Sequence, residues 1–182
     1  MRHPSIPPRE LDDCTAHDLL TDEELKALGL VAAEWGLLEA SLERHGNLLF
    51  RLLGVNLAYM TGGAGGRRYA EILASALPTY FPDEKEAVAN ARSELLKVGP
   101  LAAERSDLIH AAWTDILTIV GFGPPRPKED RGDKAWGFLR KSRGAKHKSF
   151  TYTAAQMADV AARIAATRNS INRAMYDLLP SY

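Results

Sequence analysis

Residues 153–179 read TAAQMADVAARIAATRNSINRAMYDLL, and their pattern decides the fold class. Seven residues recur along this stretch at steps of three or four, namely Met157, Val160, Ile164, Thr167, Ile171, Met175 and Leu178. Because an α-helix turns once in about 3.6 residues, this spacing places all seven on one face. We therefore predict a long helix, from about Thr153 to Leu179, that buries one side against other helices.

A second long helix is predicted from about Leu30 to Tyr59. Its buried face has the same alternating spacing and consists of Trp35, Leu38, Leu42, His45, Leu49 and Leu52. Before it, Thr21 is followed three positions later by Glu24, which is the pattern of a capping box and indicates a helix start. The glycine-rich run at 61–66 predicts a loop after the helix, since glycine disfavours helix.

The middle of the chain contains shorter helical patterns. We predict a helix over Arg67–Leu77, with Tyr69, Ile72, Leu73 and Ala76 facing inward. A third helix starts near Pro82, with Asp83 and Glu84 in its first turn, and runs to about Val98. Gly99-Pro100 should kink or interrupt it, because proline lacks a backbone N–H and its ring clashes with the preceding turn. A further helical segment covers Leu101–Trp113.

A small β-structure is predicted between this segment and the last helix. Residues 114–122 are rich in β-branched side chains and are a candidate strand, which residues 136–139 and 149–153 could join as a small sheet. We thus expect a mainly α protein, an up-and-down helical bundle with a kinked third helix. Residues 1–20 form an extended N-terminal arm, and residues 21–182 form one domain in which 114–152 is a loop or β insertion.

The composition is that of an ordinary globular protein, with 46% hydrophobic and 25% charged residues. No apolar run is long enough to span a bilayer, and the start of the chain lacks the apolar core of a secretory signal. Cys14 is the only cysteine, which excludes an internal disulfide and a cysteine-rich zinc site. The five histidines show no close ligand pairing, so we expect neither metal nor cofactor. These observations favour a cytoplasmic protein that does not contact membranes.

Charge is unevenly distributed, although the net charge is zero. Residues 126–148 contain nine Lys or Arg residues but only three acidic ones. Such a basic segment is either a contact for a polyanion such as RNA or a solvent-exposed loop. The candidate RNA-binding residues in it are Arg126, Lys128, Arg140, Lys141, Arg143, Lys146, Lys148 and the interleaved Trp136.

The candidate chemistry lies on the segment LAAERSDLIHAAW at 101–113. Arg105 falls on or beside the apolar stripe, where a permanently charged guanidinium needs either an acceptor or a wet cleft. His110 is five positions later, about 140° around the helix, so the two meet only if Arg105 leans or if each reaches one cleft from a different copy. Asp107 shares the face of His110 and is a candidate to orient its imidazole. Glu39 is either an acceptor for Arg105 or solvated.

The run RSDLIH at 105–110 resembles the R-x4–6-H signature of HEPN domains, which are helical bundles. The order of a long first helix containing WGLLE, a later helix with the arginine and histidine, and a long final helix is also similar. The resemblance covers residues 28–180 in architecture and residues 105–110 in a defined motif. The family usually has Asn, Asp or His directly after the arginine, and Ser106 occupies that position here.

The resemblance implies metal-independent cleavage of RNA by a homodimer that brings two motifs together. His110 would act as general acid or base, Arg105 would hold the phosphate, and Ser106 and Asp107 would be supporting polar groups. Such an enzyme would be of a toxin or defence type, with a protein partner such as an antitoxin.

Two alternatives to the ribonuclease remain. Ser106 in place of the usual residue favours a helical module that dimerises or binds a protein without catalysis. The basic segment favours an RNA-binding module that does not cleave. His45, on the apolar stripe, is interpreted as a buried, hydrogen-bonded residue rather than a catalyst.

Overall fold

The computed structural model describes residues 19–51, 65–113, 133–139 and 148–179. Five helices and three strands lie in these ranges, and they confirm the mainly α class with a small sheet before the last helix. In chain order they are α1 (Asp22–Arg51), α2 (Gly66–Tyr80), α3 (Lys85–Leu96), α4 (Val98–His110), β1 (Ala112–Trp113), β2 (Lys134–Leu139), β3 (Lys148–Thr153) and α5 (Ala154–Tyr176).

Helix α1 begins at the predicted capping box. The Thr21 hydroxyl accepts a hydrogen bond from the Glu24 backbone N–H at 3.2 Å, and the Glu24 carboxylate accepts one from the Thr21 N–H at 2.7 Å. The helix then runs through the exposed Gly29 without a break. Its predicted start near Leu30 is therefore wrong, because the reciprocal cap already satisfies the first backbone donors at Thr21. Its predicted end near Tyr59 lies outside the described residues.

The third predicted helix is two helices, separated at Lys97. Pro100 lies four residues after Leu96, the last residue of α3, and a proline ring conflicts with the carbonyl four residues before it. An interruption of the third helix is thereby confirmed, but it lies at Lys97, and Gly99 and Pro100 belong to the first turn of α4. Pro82 and Asp83 precede α3 instead of forming its first turn, since Glu84 is the N-cap residue.

The sheet has the order β1-β2-β3 and is antiparallel throughout. The predicted pairing of residues 136–139 with 149–153 is confirmed, whereas the predicted strand at 114–122 lies outside the described residues. Gly137 lies opposite Phe150, and a Cβ at Gly137 would overlap the Phe150 ring. Glycine at this position therefore makes room for the aromatic ring on the sheet.

The sheet joins its flanking helices almost without linkers. Ala111 alone separates α4 from β1, so the predicted helix to Trp113 ends at His110. At the other end, Thr153 closes β3 and is the N-cap of α5. Its hydroxyl accepts from the Gln156 N–H at 3.1 Å, and the Gln156 side chain accepts from the Thr153 N–H at 2.9 Å.

Helices α1 and α5 make the most extensive helix–helix contact and run in the same direction. Glu34 pairs with Arg168 at 2.6 Å, and further along both helices the rings of His45 and Tyr176 meet edge to face. The described parts of both predicted stripes are buried, which confirms them. These residues are Trp35, Leu38, Leu42, His45, Leu49, Met157, Val160, Ile164, Thr167, Ile171, Met175 and Leu178.

Helix α2 lies beside α1, also in the same direction, and its inward face differs from the prediction. Gly66 contacts Glu39 and Tyr80 contacts Phe50, whereas α3 and α4 return toward the start of α2. The buried residues of α2 include Ala70, Leu73, Ala74 and Leu77, while Tyr69, Ile72 and Ala76 are only half-buried. None of the helices in the described ranges is long and apolar enough to cross a membrane.

Candidate functional site

Arg105 lines an open groove between α1, the start of α2 and α4. The groove has a volume of about 490 Å³ and is lined by Trp35, Glu39, Gly65, Gly66, Arg67, Arg68, Glu71, Ala102 and Arg105. The guanidinium carbon of Arg105 lies 5.8 Å from the centre of the buried Trp35 ring. A cation over an indole face is attracted by the ring quadrupole, so Trp35 holds the guanidinium in place.

A close approach between α1 and α2 builds the floor of this groove. Glu39 accepts a hydrogen bond from the Gly66 backbone N–H at 2.8 Å, and so supplies the cap that Gly65 cannot give. A Cβ on Gly66 would lie 2.9 Å from Glu39 Cγ and 3.2 Å from Trp35 Cζ2. The sequence suggests Glu39 either as an acceptor for Arg105 or as a solvated side chain, and neither interpretation includes this role. The role depends on a contact between residues 27 positions apart.

Two further arginines stand at the groove. Arg67 Nε lies 2.8 Å from one Glu71 oxygen and Arg68 Nη1 lies 3.5 Å from the other. The hydrogen bond from Arg67, with the charges of both arginines, holds the pKa of the Glu71 carboxyl below its ordinary value despite some desolvation. Sequence reasoning did not single out either arginine. The available signal was two consecutive cations directly after a glycine-rich run.

The Arg105 guanidinium is incompletely satisfied. Its Nε is buried, and it has no hydrogen-bond partner in the part of the chain that the structure describes. A buried donor without a partner is destabilising, on the order of 1–3 kcal/mol. An arginine kept in this state at the wall of an open groove is suited to an external acceptor.

The structure does not bring the other predicted catalytic residues into the Arg105 groove. His110 is exposed at the last residue of α4 and is absent from the groove lining, as the angle of about 140° between the two positions requires. Ser106 is exposed and Asp107 is half-buried. Within one copy of the chain, Arg105 and His110 therefore face different surfaces, and their meeting requires a second copy.

The candidate RNA-binding residues fall mostly outside the described ranges. These are Arg126, Lys128, Arg140, Lys141, Arg143 and Lys146. Trp136 and Lys148 lie on β2 and β3, where their backbones pair with Thr151 and Leu139.

A second polar cluster, besides the Glu34–Arg168 pair, lies in the contact between α1 and α5. His45 is fully buried, and its Nε2 lies 2.8 Å from Asn172 Oδ1, which also accepts from the Ser41 hydroxyl. Burial is the main cause that lowers the pKa of His45 from its ordinary value, and the bond to Asn172 opposes it only in part. The imidazole Nδ1 has no hydrogen-bond partner among the residues that the structure describes. His45 is thus a buried, hydrogen-bonded residue, in line with its interpretation from the sequence.

Comparison of the chain with protein-family models, curated proteins and solved structures found no significant match to any of them.

Proposed function

We propose that this protein binds RNA and that one backbone phosphate lies in the groove beside Arg105. The observation that carries the proposal is the Arg105 guanidinium, which lines an open groove and has no partner for its Nε in the described residues. A phosphate in the groove is an acceptor that this guanidinium can engage. The planar guanidinium can donate two parallel hydrogen bonds to two phosphate oxygens, a geometry that the ammonium group of lysine does not offer.

The charge of the groove suits a single phosphodiester. Arg67, Arg68 and Arg105 carry three positive charges, and Glu39 and Glu71 carry two negative ones, which leaves one net positive charge. A phosphodiester carries one negative charge. Trp35 is buried beneath Arg105 and offers no free ring face to a base, so recognition by this groove is of the backbone rather than of the sequence.

Binding of a single-stranded RNA, measured by fluorescence anisotropy, tests the proposal. A 2′-O-methyl RNA decamer is the appropriate ligand, because it cannot be cut by attack of the 2′-hydroxyl. Arg105→Ala should weaken binding on the order of tenfold or more, as expected for the loss of a charge-assisted hydrogen bond. Arg105→Lys should recover only part of the affinity, because it restores the charge without the planar donor pair.

Arg92→Ala is the matched control, since Arg92 is an exposed arginine on α3 and does not line the groove. It should leave the affinity close to that of the unmodified protein. Equal affinities for the Arg105→Ala variant and the unmodified protein, with both folded, would overturn the proposal. If no RNA binds at all, the helical dimerisation or protein-interaction module becomes the better interpretation.

Metal-independent cleavage of the bound RNA is a second candidate function. It is favoured by the exposed imidazole of His110, on the same helix as the phosphate-binding arginine. A histidine can act as the general base that takes the proton from the attacking 2′-hydroxyl, or as the general acid that gives a proton to the leaving 5′-oxygen. Because the two side chains face different surfaces of one copy, we propose that Arg105 and His110 meet across a homodimer.

Mixing two inactive variants tests this arrangement. Arg105→Ala and His110→Ala should each abolish cleavage of unmodified RNA in EDTA, and mixed heterodimers should regain activity at one of the two sites. Recovery is expected only if each site takes its arginine and histidine from different copies. An unmodified protein that leaves diverse RNAs intact would exclude the ribonuclease while leaving RNA binding in place.

A further inference from the structure

Glu71 is the acidic residue that lies among the arginines of α2 in the groove. Its two carboxylate oxygens are taken by two different arginines, Arg67 at 2.8 Å and Arg68 at 3.5 Å. All three residues line the same groove as Arg105. A carboxylate that engages two guanidinium groups presents them with the same kind of charged acceptor oxygens as a phosphate.

We infer that Glu71 is a specificity-determining residue that disfavours terminal phosphates and free nucleotides, which carry nearly two negative charges, more than the internal phosphodiesters of a nucleic acid chain, which carry one. The inference rests on the proposed function. It concerns which phosphate the groove accepts, whereas Arg105 accounts for why it accepts a phosphate.

The physical basis is repulsion of the wrong ligand. With Glu39 and Glu71 in place, the lining carries one net positive charge. A phosphomonoester carries about 1.5 to 2 negative charges near neutral pH, so it is repelled by the two carboxylates more strongly than a phosphodiester is. Specificity of this kind depends on two effects. Charges of the same sign in the site repel the competing ligand, and charges of the opposite sign attract the preferred ligand.

Glu71→Gln removes that charge and keeps a side chain of the same shape. The affinity for a phosphodiester should rise modestly, by about threefold, as is typical of one exposed charge interaction. The affinity for a phosphomonoester should rise by roughly the square of that factor, because the ligand charge that interacts with Glu71 is nearly doubled. The diagnostic quantity is thus the ratio of the two affinities, which a general loosening of the helix would not change.

Competition against the labelled 2′-O-methyl RNA decamer measures both affinities. The competitors are a 2′-O-methyl dinucleoside monophosphate, which has one internal phosphodiester and no terminal phosphate, and the corresponding nucleoside 5′-monophosphate. Glu71→Gln should shift the ratio of the two affinities about threefold toward the nucleoside 5′-monophosphate, relative to the unmodified protein. Asp159→Asn is the matched control, since it breaks an i,i+4 pair with Arg163, also at 2.8 Å, on a helix that does not line the groove.

The outcomes separate this inference from the proposed function. If Arg105→Ala loses RNA binding while Glu71→Gln leaves the preference between the two competitors unchanged, the role of Glu71 is refuted and the binding groove stands. If neither variant affects binding of the decamer, the proposed function itself fails. A shift in preference that Asp159→Asn reproduces would also refute the inference, because the effect would then not be specific to the groove.

Discussion

The Arg105 guanidinium lies 5.8 Å from the centre of the Trp35 ring, so a residue of α1 positions the cation of α4. Trp35→Phe keeps a buried aromatic ring but reduces the cation–π attraction, for which tryptophan is the best partner. We expect RNA affinity to fall about threefold, corresponding to an interaction of ~0.5–1 kcal/mol. Anisotropy measures the change, and Trp113→Phe, outside the groove, should have no such effect. Unchanged affinity for Trp35→Phe would argue against positioning by the indole.

Two glycines that are both helical should respond in opposite ways to alanine. At Gly66 a Cβ would lie 2.9 Å from Glu39 Cγ, and we expect Gly66→Ala to destabilise the fold by about 1–3 kcal/mol through overpacking. At Gly36, exposed on α1, nothing lies within 4 Å of the added Cβ. There we expect a gain of about 0.5–1 kcal/mol, because alanine is the better helix former. Urea unfolding measures both changes, and a neutral Gly66→Ala would mean that α1 and α2 separate easily.

Stability should decrease in mild acid because of His45. Its pKa in the folded protein is lowered from the ordinary value of 6.5, mainly by burial, so the unfolded chain takes up the proton first as the pH falls. The contribution of neutral His45 is fully present above pH 6.5 and is lost as the pH falls from there through the folded-state pKa. One such group contributes a slope of at most about 1.4 kcal/mol per pH unit.

Urea unfolding at a series of pH values from 7.5 down to 5 checks this expectation. His45→Leu should remove part of the slope below pH 6.5, whatever it does to the overall stability. His110→Ala is the control, since this histidine is exposed and its removal should keep the slope. The same slope in His45→Leu as in the unmodified protein would assign the acid sensitivity to other groups.

Gly137→Ala should weaken the small sheet. The added methyl group would overlap the Phe150 ring, which also contacts Trp113 and Tyr152 edge to face. Displacing one ring from this cluster should cost about 1–3 kcal/mol, as overpacking commonly does. The loss should make local opening of the sheet easier than global unfolding. It should appear as faster hydrogen exchange of the β2 and β3 amides, at denaturant concentrations below those that unfold the whole protein. Unchanged protection would indicate that the ring can move aside without cost.

The helices could largely be predicted from the sequence because their signals are local. The stripes of α1 and α5 follow from periodicity, and the interruption near Pro100 follows from the geometry of proline. Helix α1 starts at the reciprocal cap at Thr21, nine residues before the predicted start near Leu30, because the cap satisfies the first backbone donors there. Local chemistry thus predicted the position of each helix better than it predicted which face is buried. For α2, the buried face depends on contacts with three other helices.

The groove could be predicted only in part. Arg105 was singled out by a charge on an apolar stripe, and it does line a groove. The contribution of Glu39 and Gly66 depends on a contact between α1 and α2 that no local pattern encodes. Arg105 and His110 face different surfaces of one copy, and the pairing proposed for them across a homodimer is not specified by periodicity within one helix.

The sheet is joined to a helix at both of its ends with almost no linker. One alanine ties it to the last turn of α4, and Thr153 belongs both to its third strand and to the cap of α5. A tilt or shift of these strands would move His110 at one end of the sheet. At the other end it would move the first turn of α5, which makes the most extensive helix–helix contact of the core. The sheet therefore couples the orientation of the exposed His110 imidazole to the interior of the bundle.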